Sequence, residues 1–358
     1  AYKRIIEKEG DLTILPFKLD GEDLSKAMEY YIKRLHWIDA STQGIENAIL
    51  ELKTKILTIL KPTREHNAEL QERHSNAYYE ERDEKERARL LIQQRLLEKF
   101  DGELYDAVAA ERDEMYVLDL GSANGSFAMS RFGGRKNLGF FLGIEFNGEA
   151  VDSANAVYGN DHIVFEQCDL EGEEVENVIK KACEKYSIDG FNVVNISMLI
   201  LHLKNPVRLL KRIRKFVKSG ATIVVKDIDD GLNLAYPDHE GNFEYAIQLC
   251  SKNPLAGFRA SGRQIPYFLR KSGYRDINLV RAGLNTLEMD FDEREALFHI
   301  YFSFIYGDFA TLAQQSPDNT LYCESAEWMK KHYEELADEF MSDDFFFSLG
   351  FMLYTAKK

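Results

Sequence analysis

Three acidic residues stand at the ends of apolar, strand-like segments in the middle of this chain. They are Asp119 in "MYVLDL" (115–120), Glu145 at the end of "GFFLGIE" (139–145) and Asp169 just after "HIVFEQ" (162–167). In an open parallel sheet, ligands bind in the crevice at the carboxyl ends of the strands. We therefore expect the three carboxylates to converge on one crevice, where they can accept hydrogen bonds from hydroxyl and amino groups.

The turn after the first of these strands reads "GSANGS" (121–126). A phosphate-binding P-loop needs GxxxxGK[ST], and no Lys follows Gly125. A dinucleotide fingerprint needs GxGxxG, whereas its three positions here are Gly121, Ala123 and Ser126. The turn therefore favours a ligand that carries an adenosine without a phosphate, with carboxylates for the ribose hydroxyls and the adenine amine.

Near-continuous apolar strands alternate with helical segments after about residue 114, which predicts an α/β domain with a doubly wound parallel sheet covered on both faces. The predicted strands are 115–120, 139–145, 162–167, 191–197, 221–228, 274–280 and 345–356, and the helices between the first five begin near Gly125, Asn147, Glu173 and Pro206. A further helix is predicted over 262–273. No crossover helix precedes the seventh strand, so we expect it to be antiparallel.

Two regions add to this seven-stranded domain, which we place at residues 101–358. Residues 1–100 are predicted as a helical region, with helices from Asp20 to about Lys61 and from Thr63 to about Phe100 that form a hairpin, a lid or a homodimer contact. Simple packing of these helices on the next domain is the alternative. Helical inserts are expected at about 232–260 and 290–342. Aromatic residues of the second insert are expected to be buried in a core or subunit contact: Phe298, Tyr301, Phe302, Phe304 and Phe309.

Composition excludes several classes of protein. The net charge of −15 counts against a generic nucleic-acid binder, because such proteins bind phosphates through Lys and Arg. No apolar run reaches the roughly 20 residues of a membrane span, and no signal-like segment opens the chain. The four cysteines are scattered without a CxxC pair, so we predict no zinc or other metal site and no disulfide framework. Reduced cysteines and the lack of a signal-like segment favour a cytoplasmic location.

From roughly residue 95 to 358 the sequence resembles the class I S-adenosylmethionine-dependent methyltransferases. The resemblance rests on "VLDLGSANG", "GIE", "QCDL", "FNVVNISMLILHLKNP" and the terminal "YRDINLV…FSLGFMLYTAKK". It implies that S-adenosylmethionine is the cofactor, that Asp119 orients its amino-acid end, that Glu145 binds the ribose and that Asp169 binds the adenine amine. The implied cofactor contacts also include Gly121, Ser122, Ala123, Gly125, Phe146, Cys168, Leu170, Asn195, Ile196, Ser197 and Met198. Ala123 departs from the glycine of many members and crowds the turn by one methyl.

Residues beyond the fourth and fifth strands are candidates for acceptor chemistry. His202 lies near the expected methyl group and could act as a general base, with packing as the alternative. Asp229 and Asp230, with Asp227 before them, could bind a cationic acceptor or form a solvated turn. Arg259 and Arg263 could bind an acidic substrate or pair locally.

The predicted function is methyl transfer to a small-molecule acceptor. "NISM" lacks the Asn/Asp-Pro-Pro-aromatic run in which amino-methylating enzymes for adenine or glutamine resemble one another, and the chain has no Pro-Cys pair of the cytosine C5 type. One alternative is a regulatory protein whose methyltransferase-like domain senses a ligand. The chain begins at Ala1 instead of Met, so a module upstream of the helices belongs to that alternative. Methylation of RNA or protein is the third hypothesis.

Overall fold

One large mixed sheet organises the computed structural model, which describes residues 17–18, 38–39 and 96–358. Within these residues the sheet has eight strands: β1 Met115–Leu120, β2 Leu138–Glu145, β3 Ile163–Gln167, β4 Phe191–Ser197, β5 Val217–Ile228, β6 Leu234–Tyr236, β7 Arg275–Asn285 and β8 Phe346–Lys357. The first five are parallel in the order β3-β2-β1-β4-β5, and β8 pairs antiparallel with β5, β6 and β7. The doubly wound sheet and its antiparallel last strand are confirmed. The three-residue β6 was missed, because it is too short to show a period.

Helices cover both faces of the sheet. Their bounds are α1 96–110, α2 Ser126–Ala128 with a π-turn at Met129–Gly133, α3 Gly148–Tyr158, α4 Val175–Lys185, α5 Pro206–Ile213, α6 Asn242–Lys252, α7 Ile265–Lys271, α8 Phe291–Phe298, α9 Phe304–Gln315 and α10 Thr320–Phe340. Alternate residues of a strand point to opposite faces, so Val117 faces the core that includes residues of α1 and α3, while Leu118 faces the core that includes residues of α4, α5 and α7. Two buried faces explain why the strands read as near-continuous apolar runs.

Helix α1 packs its apolar face on the sheet. Leu97, Phe100, Tyr105 and Val108 are all buried, at spacings that place them on one side of a helix. The helix runs through residue 100, where the sequence analysis placed the domain boundary, and ends at residue 110. Its side chains become part of the core of the α/β domain.

The chain divides into two compact units, Ala1–Tyr78 and Tyr79–Lys358. In the first unit the described residues are Phe17–Lys18 and Ile38–Asp39, which pair as two short parallel strands. Residues Ile38–Asp39 interrupt the helix predicted from Asp20 to about Lys61, because their backbone is extended and hydrogen-bonded to another strand. The predicted hairpin, lid and homodimer contact otherwise lie outside the described residues and stay predictions.

An aromatic core joins the two inserts. Phe298, Phe302 and Phe340 are fully buried and lie with Phe243 and Phe345 at centroid separations of 4.4 to 6.3 Å. The stretch Phe291–Gln315 is long and apolar enough to cross a membrane, judged by length and composition alone. Its buried aromatic residues give it the surroundings of a core helix, as expected for the second insert.

Candidate functional site

The turn after β1 adopts left-handed backbone conformations at Gly121, Ala123 and Gly125, with φ of 74°, 46° and 76°. Glycine reaches this region without steric cost. A Cβ on Gly125 would lie 2.6 Å from Cζ of Phe165, so this position requires glycine for space as well as for φ. Ala123 holds the same conformation with a side chain, and such strained non-glycine residues concentrate at ligand sites.

Glu145, at the end of β2, is tied to this turn. Its Oε2 accepts a hydrogen bond from the backbone N–H of Ala123 at 2.9 Å, and its Oε1 accepts one from the N–H of Asn147 at 3.1 Å. A carboxylate has about four lone-pair sites, so two bonds leave capacity for a pair of hydroxyl groups. Ser122 is buried, and its Oγ lies against Gly143 of β2.

Asp119 is buried beside Asn195, its partner in the β1–β4 ladder. The Asn195 amide donates to Asp119 Oδ1 at 2.7 Å, and the Tyr105 hydroxyl donates to Asn195 Oδ1 at 2.6 Å. Burial raises the pKa of Asp119 to about 7, with a smaller contribution from the negative charge of Glu145, while the Asn195 bond acts in the opposite direction. The carboxyl group is thus poised to ionise when a cation approaches.

The segment after β3 presents one polar side chain between two apolar ones. Asp169 is exposed, and its Oδ1 accepts from the N–H of Glu171 at 2.9 Å. Cys168 and Leu170 are buried in the core of the sheet. Phe146, after β2, is 70% exposed. The exposed Asp169 carboxylate is an acceptor that suits the amine of an adenine ring, while the side chains of Cys168 and Leu170 contribute to the core.

A strained residue directly follows strand β4. Met198 has φ of 54°, and its N–H donates to the carbonyl of Lys226 at 2.8 Å. Ser197 is half-buried, and Asn195 is fully buried. Strand alternation turns the Ile196 side chain into the core on the opposite face, so the implied cofactor contact of this residue is left to its backbone.

His202 ends a short 3-10 turn after β4 and is exposed. The ring packs close to Gly257, where an added Cβ would lie 3.0 Å from Nδ1. Surrounding protein atoms lower the pKa of His202 by displacing water, and the positive charge of Arg259 lowers it further. Both effects favour the neutral imidazole, which can accept a proton.

The four residues predicted to bind substrate are paired with one another. Arg263 donates from Nε to Asp229 at 2.7 Å, and Arg259 makes a bidentate contact with Asp230 at 2.9 and 3.0 Å. The Arg259 guanidinium also lies over the Tyr301 ring, 5.6 Å from its centroid. These pairs match the local-pairing alternative for the two arginines, and the contact of Arg259 with Tyr301 attaches the second insert to the segment before α7.

Asp227 also serves the scaffold. It is fully buried and accepts from the N–H groups of Leu201 and Ile228 and from the Ser261 hydroxyl at 2.9 Å. Burial raises its pKa to about 6. The residue holds the loop that carries His202 against the segment before α7.

Sequence reasoning missed a buried ionic cluster under the site. Asp101 of α1 accepts from Arg131 Nε at 2.8 Å and from Lys226 Nζ at 2.5 Å, and all three side chains are buried. Burial lowers the pKa of Lys226 to about 8. A Lys inside the apolar run "ATIVVKDI" was the available signal, since a buried lysine requires a partner.

Residues 111–272 match the family model described as a methyltransferase domain. The match covers 162 of the 358 residues and identifies this region as a methyltransferase domain. The protein is a methyltransferase enzyme, and S-adenosylmethionine is its cofactor.

A search of the curated proteins finds no match to the chain. Among solved structures, the [4+2]-cyclase SpnF is 16% identical over 72% of this chain and 80% of its own, with a TM-score of 0.43. A Mesorhizobium loti S-adenosylmethionine-dependent methyltransferase is 13% identical over 72% and 97%, with a TM-score of 0.38. Haemonchus contortus phosphoethanolamine N-methyltransferase 2, in complex with S-adenosylmethionine, is 17% identical over 69% and 49%, with a TM-score of 0.36.

Proposed function

We propose that this methyltransferase acts on a small-molecule acceptor and binds S-adenosylmethionine where β1, β2 and β3 end. The observation that carries the proposal is the bond from the Ala123 N–H to Glu145, which places a carboxylate beside a left-handed, glycine-containing turn. The turn allows close approach of a ligand to the backbone, and Glu145 retains acceptor capacity for the two ribose hydroxyls.

The remaining contacts follow from the chemistry of the cofactor. Asp119 offers a buried carboxyl group to the ammonium of the amino-acid end, and Asp169 offers an acceptor to the adenine amine. The cofactor supplies an activated methyl group on a sulfonium. Transfer of that group is an in-line displacement, so the chain contributes mainly by orienting the reactants and excluding water.

His202 is the proposed base for an acceptor that must lose a proton. Its lowered pKa favours the unprotonated imidazole, in which one ring nitrogen can accept that proton. An acceptor that reacts without losing a proton would need no such group.

Two features support a small acceptor. The net charge of −15 opposes binding of RNA phosphates. Helices α8–α10 and the β6–α6 segment are attached to the loop after β5 by the Arg259–Asp230 pair and by Asn233, which donates to the Tyr301 hydroxyl at 2.7 Å. Both additions can enclose a small molecule.

The four cysteines are free thiols, which agrees with the cytoplasmic location that we propose.

Calorimetric titration with S-adenosylmethionine and with its demethylated product tests the cofactor site. We expect micromolar binding, about −8 kcal/mol. Glu145→Ala and Asp169→Ala should each weaken it at least tenfold. Asp152→Ala, which removes an exposed acid from α3, is the matched control and should bind like the wild type. A folded wild-type protein that binds neither ligand would contradict the proposal.

A further inference from the structure

A chain of two buried hydrogen bonds connects α1 to Asp119. The Tyr105 hydroxyl donates to Asn195 Oδ1 at 2.6 Å, and the Asn195 amide nitrogen donates to Asp119 Oδ1 at 2.7 Å. Tyr105 and Asn195 have no exposed surface, and Asp119 is 4% exposed. Tyr105 belongs to no motif, and it lies 90 residues from Asn195 in the sequence.

The Tyr105 hydroxyl determines which end of the Asn195 amide faces Asp119. An Asn side chain has a carbonyl end that accepts and an amino end that donates, and its neighbours select the orientation. Burial raises the pKa of Tyr105 well above its usual value of 10, so the phenol keeps its proton and donates it. Because Tyr105 occupies the carbonyl end, the amino end is directed to the carboxyl group.

Tyr105 is itself held in place from two sides. One turn earlier on α1, Asp101 accepts from Arg131 Nε at 2.8 Å and from Lys226 Nζ at 2.5 Å. The Tyr105 ring meets the Phe132 ring edge to face, with centroids 5.3 Å apart. The buried ion cluster and the ring contact prevent the helix from shifting, so the hydroxyl stays at the amide.

We propose that Tyr105 is a positioning residue of the cofactor site, whose hydroxyl holds the Asn195 amide in the orientation that donates to Asp119. The inference rests on the proposed function at one point, the contact between Asp119 and the amino-acid end of the cofactor. A donor to Asp119 favours the ionised carboxylate that an ammonium group needs.

The charged groups around Asp119 allow the effect to be isolated. Glu145 on β2 is the charged neighbour that raises the pKa of Asp119. On α1, the charge of Asp101 is paired with Arg131 and Lys226. Removal of the Tyr105 hydroxyl changes none of these charges, so a shift in the pH dependence of binding reports the Asn195 bond.

Tyr105→Phe tests the proposal, because it removes the hydroxyl and keeps the ring against Phe132. We expect the demethylated cofactor to bind about fivefold more weakly at pH 7, the effect of one lost hydrogen bond. The pH midpoint of binding should move upward. Tyr274→Phe is the matched control: it removes a buried hydroxyl that donates to the Leu210 carbonyl at 3.2 Å, and it should change neither quantity.

A double-mutant cycle shows whether Tyr105 acts through the amide. Asn195→Leu, similar in size, should weaken binding at least as much as Tyr105→Phe. Adding Tyr105→Phe to Asn195→Leu should then change the affinity less than twofold, because the intermediary is already lost.

Three results would overturn the inference while leaving the cofactor site intact: wild-type affinity and pH midpoint in Tyr105→Phe, weaker binding with an unchanged midpoint, or additive effects in the double variant. If Tyr105→Phe does not unfold cooperatively, Asn195→Leu decides alone, and an unchanged midpoint in that variant overturns the inference. A folded wild-type protein that binds no cofactor overturns this inference and the proposed function together.

Discussion

Cofactor affinity is expected to rise with pH between pH 6 and 7.5, because Asp119 must ionise to pair with the ammonium of the amino-acid end. The pKa of Asp119 in the free protein is raised to about 7 by burial, with Glu145 adding to the effect. Below this pKa the carboxyl group carries a proton, and binding must first remove it.

The magnitude follows from this single ionisation. The limiting Kd is that of the protein with Asp119 fully ionised. The apparent Kd equals this limiting Kd multiplied by the factor 1 + 10^(pKa − pH). With a pKa of about 7, binding should be about 11-fold weaker than the limit at pH 6, about twofold weaker at pH 7 and about 1.3-fold weaker at pH 7.5. The cofactor's own α-amino group titrates near pH 8, which sets the upper end of the useful range.

Calorimetric titration with the demethylated product at pH 6, 6.5, 7 and 7.5, at constant ionic strength, measures the effect. Asp119→Asn is the control, because it keeps an acceptor for the Asn195 amide but cannot ionise. This variant should bind more weakly than the wild type at pH 7.5 and show little dependence on pH. A flat wild-type profile, or an equal slope in Asp119→Asn, would refute the reasoning.

Three further predictions concern the same residues. Gly125→Ala should destabilise the protein by about 2–4 kcal/mol in denaturant unfolding, because the new Cβ would lie 2.6 Å from Phe165 in a left-handed conformation. The control Ala123→Gly should stay within about 1 kcal/mol of the wild type. Equal stability of the two variants would contradict the steric argument. Asp119→Asn should be more stable than the wild type by up to about 4 kcal/mol at pH 8, and this difference should vanish near pH 4. The reason is that a carboxyl group with a raised pKa lowers the stability of the folded state as pH rises. Thermal unfolding at both pH values measures the difference, and a constant value would contradict the burial of an ionising carboxyl group. With an acceptor that loses a proton, His202→Asn should lower kcat at saturating cofactor about 100-fold without changing cofactor affinity. In the pH–rate profile of the wild type, the fall of kcat on the acid side should lie below pH 6.5. A kcat of His202→Asn within threefold of the wild type would exclude His202 as the base.

Features encoded by neighbouring residues were predictable. Strands β1 and β4 occur at the predicted bounds, because a strand buried on both faces reads as an apolar run wherever it is placed. Helix α3 starts beside Asn147, whose side chain accepts from the N–H groups of Glu149 and Ala150, a cap that sequence alone reveals. The glycine turn after β1 was also predictable, because its glycines directly follow the end of the strand; its left-handed conformation came from the structure.

Pairings between distant residues were not predictable. Arg259 and Asp230 were proposed as separate substrate contacts, and only the fold shows that they neutralise each other. Ile196 was assigned to the cofactor with its neighbours, although strand alternation sends its side chain into the opposite core.

The sequence by itself determined the sheet, the turn that follows β1 and the acidic residues at the strand ends, because each is a local pattern of burial or backbone conformation. Only the tertiary structure decided what those acids contact. The Tyr105–Asn195–Asp119 chain exists because the packing of α1 on the sheet brings together residues 90 and 76 positions apart. No local pattern encodes such a distance, since the hydrogen-bond partner of a buried group is set by the elements that enclose it.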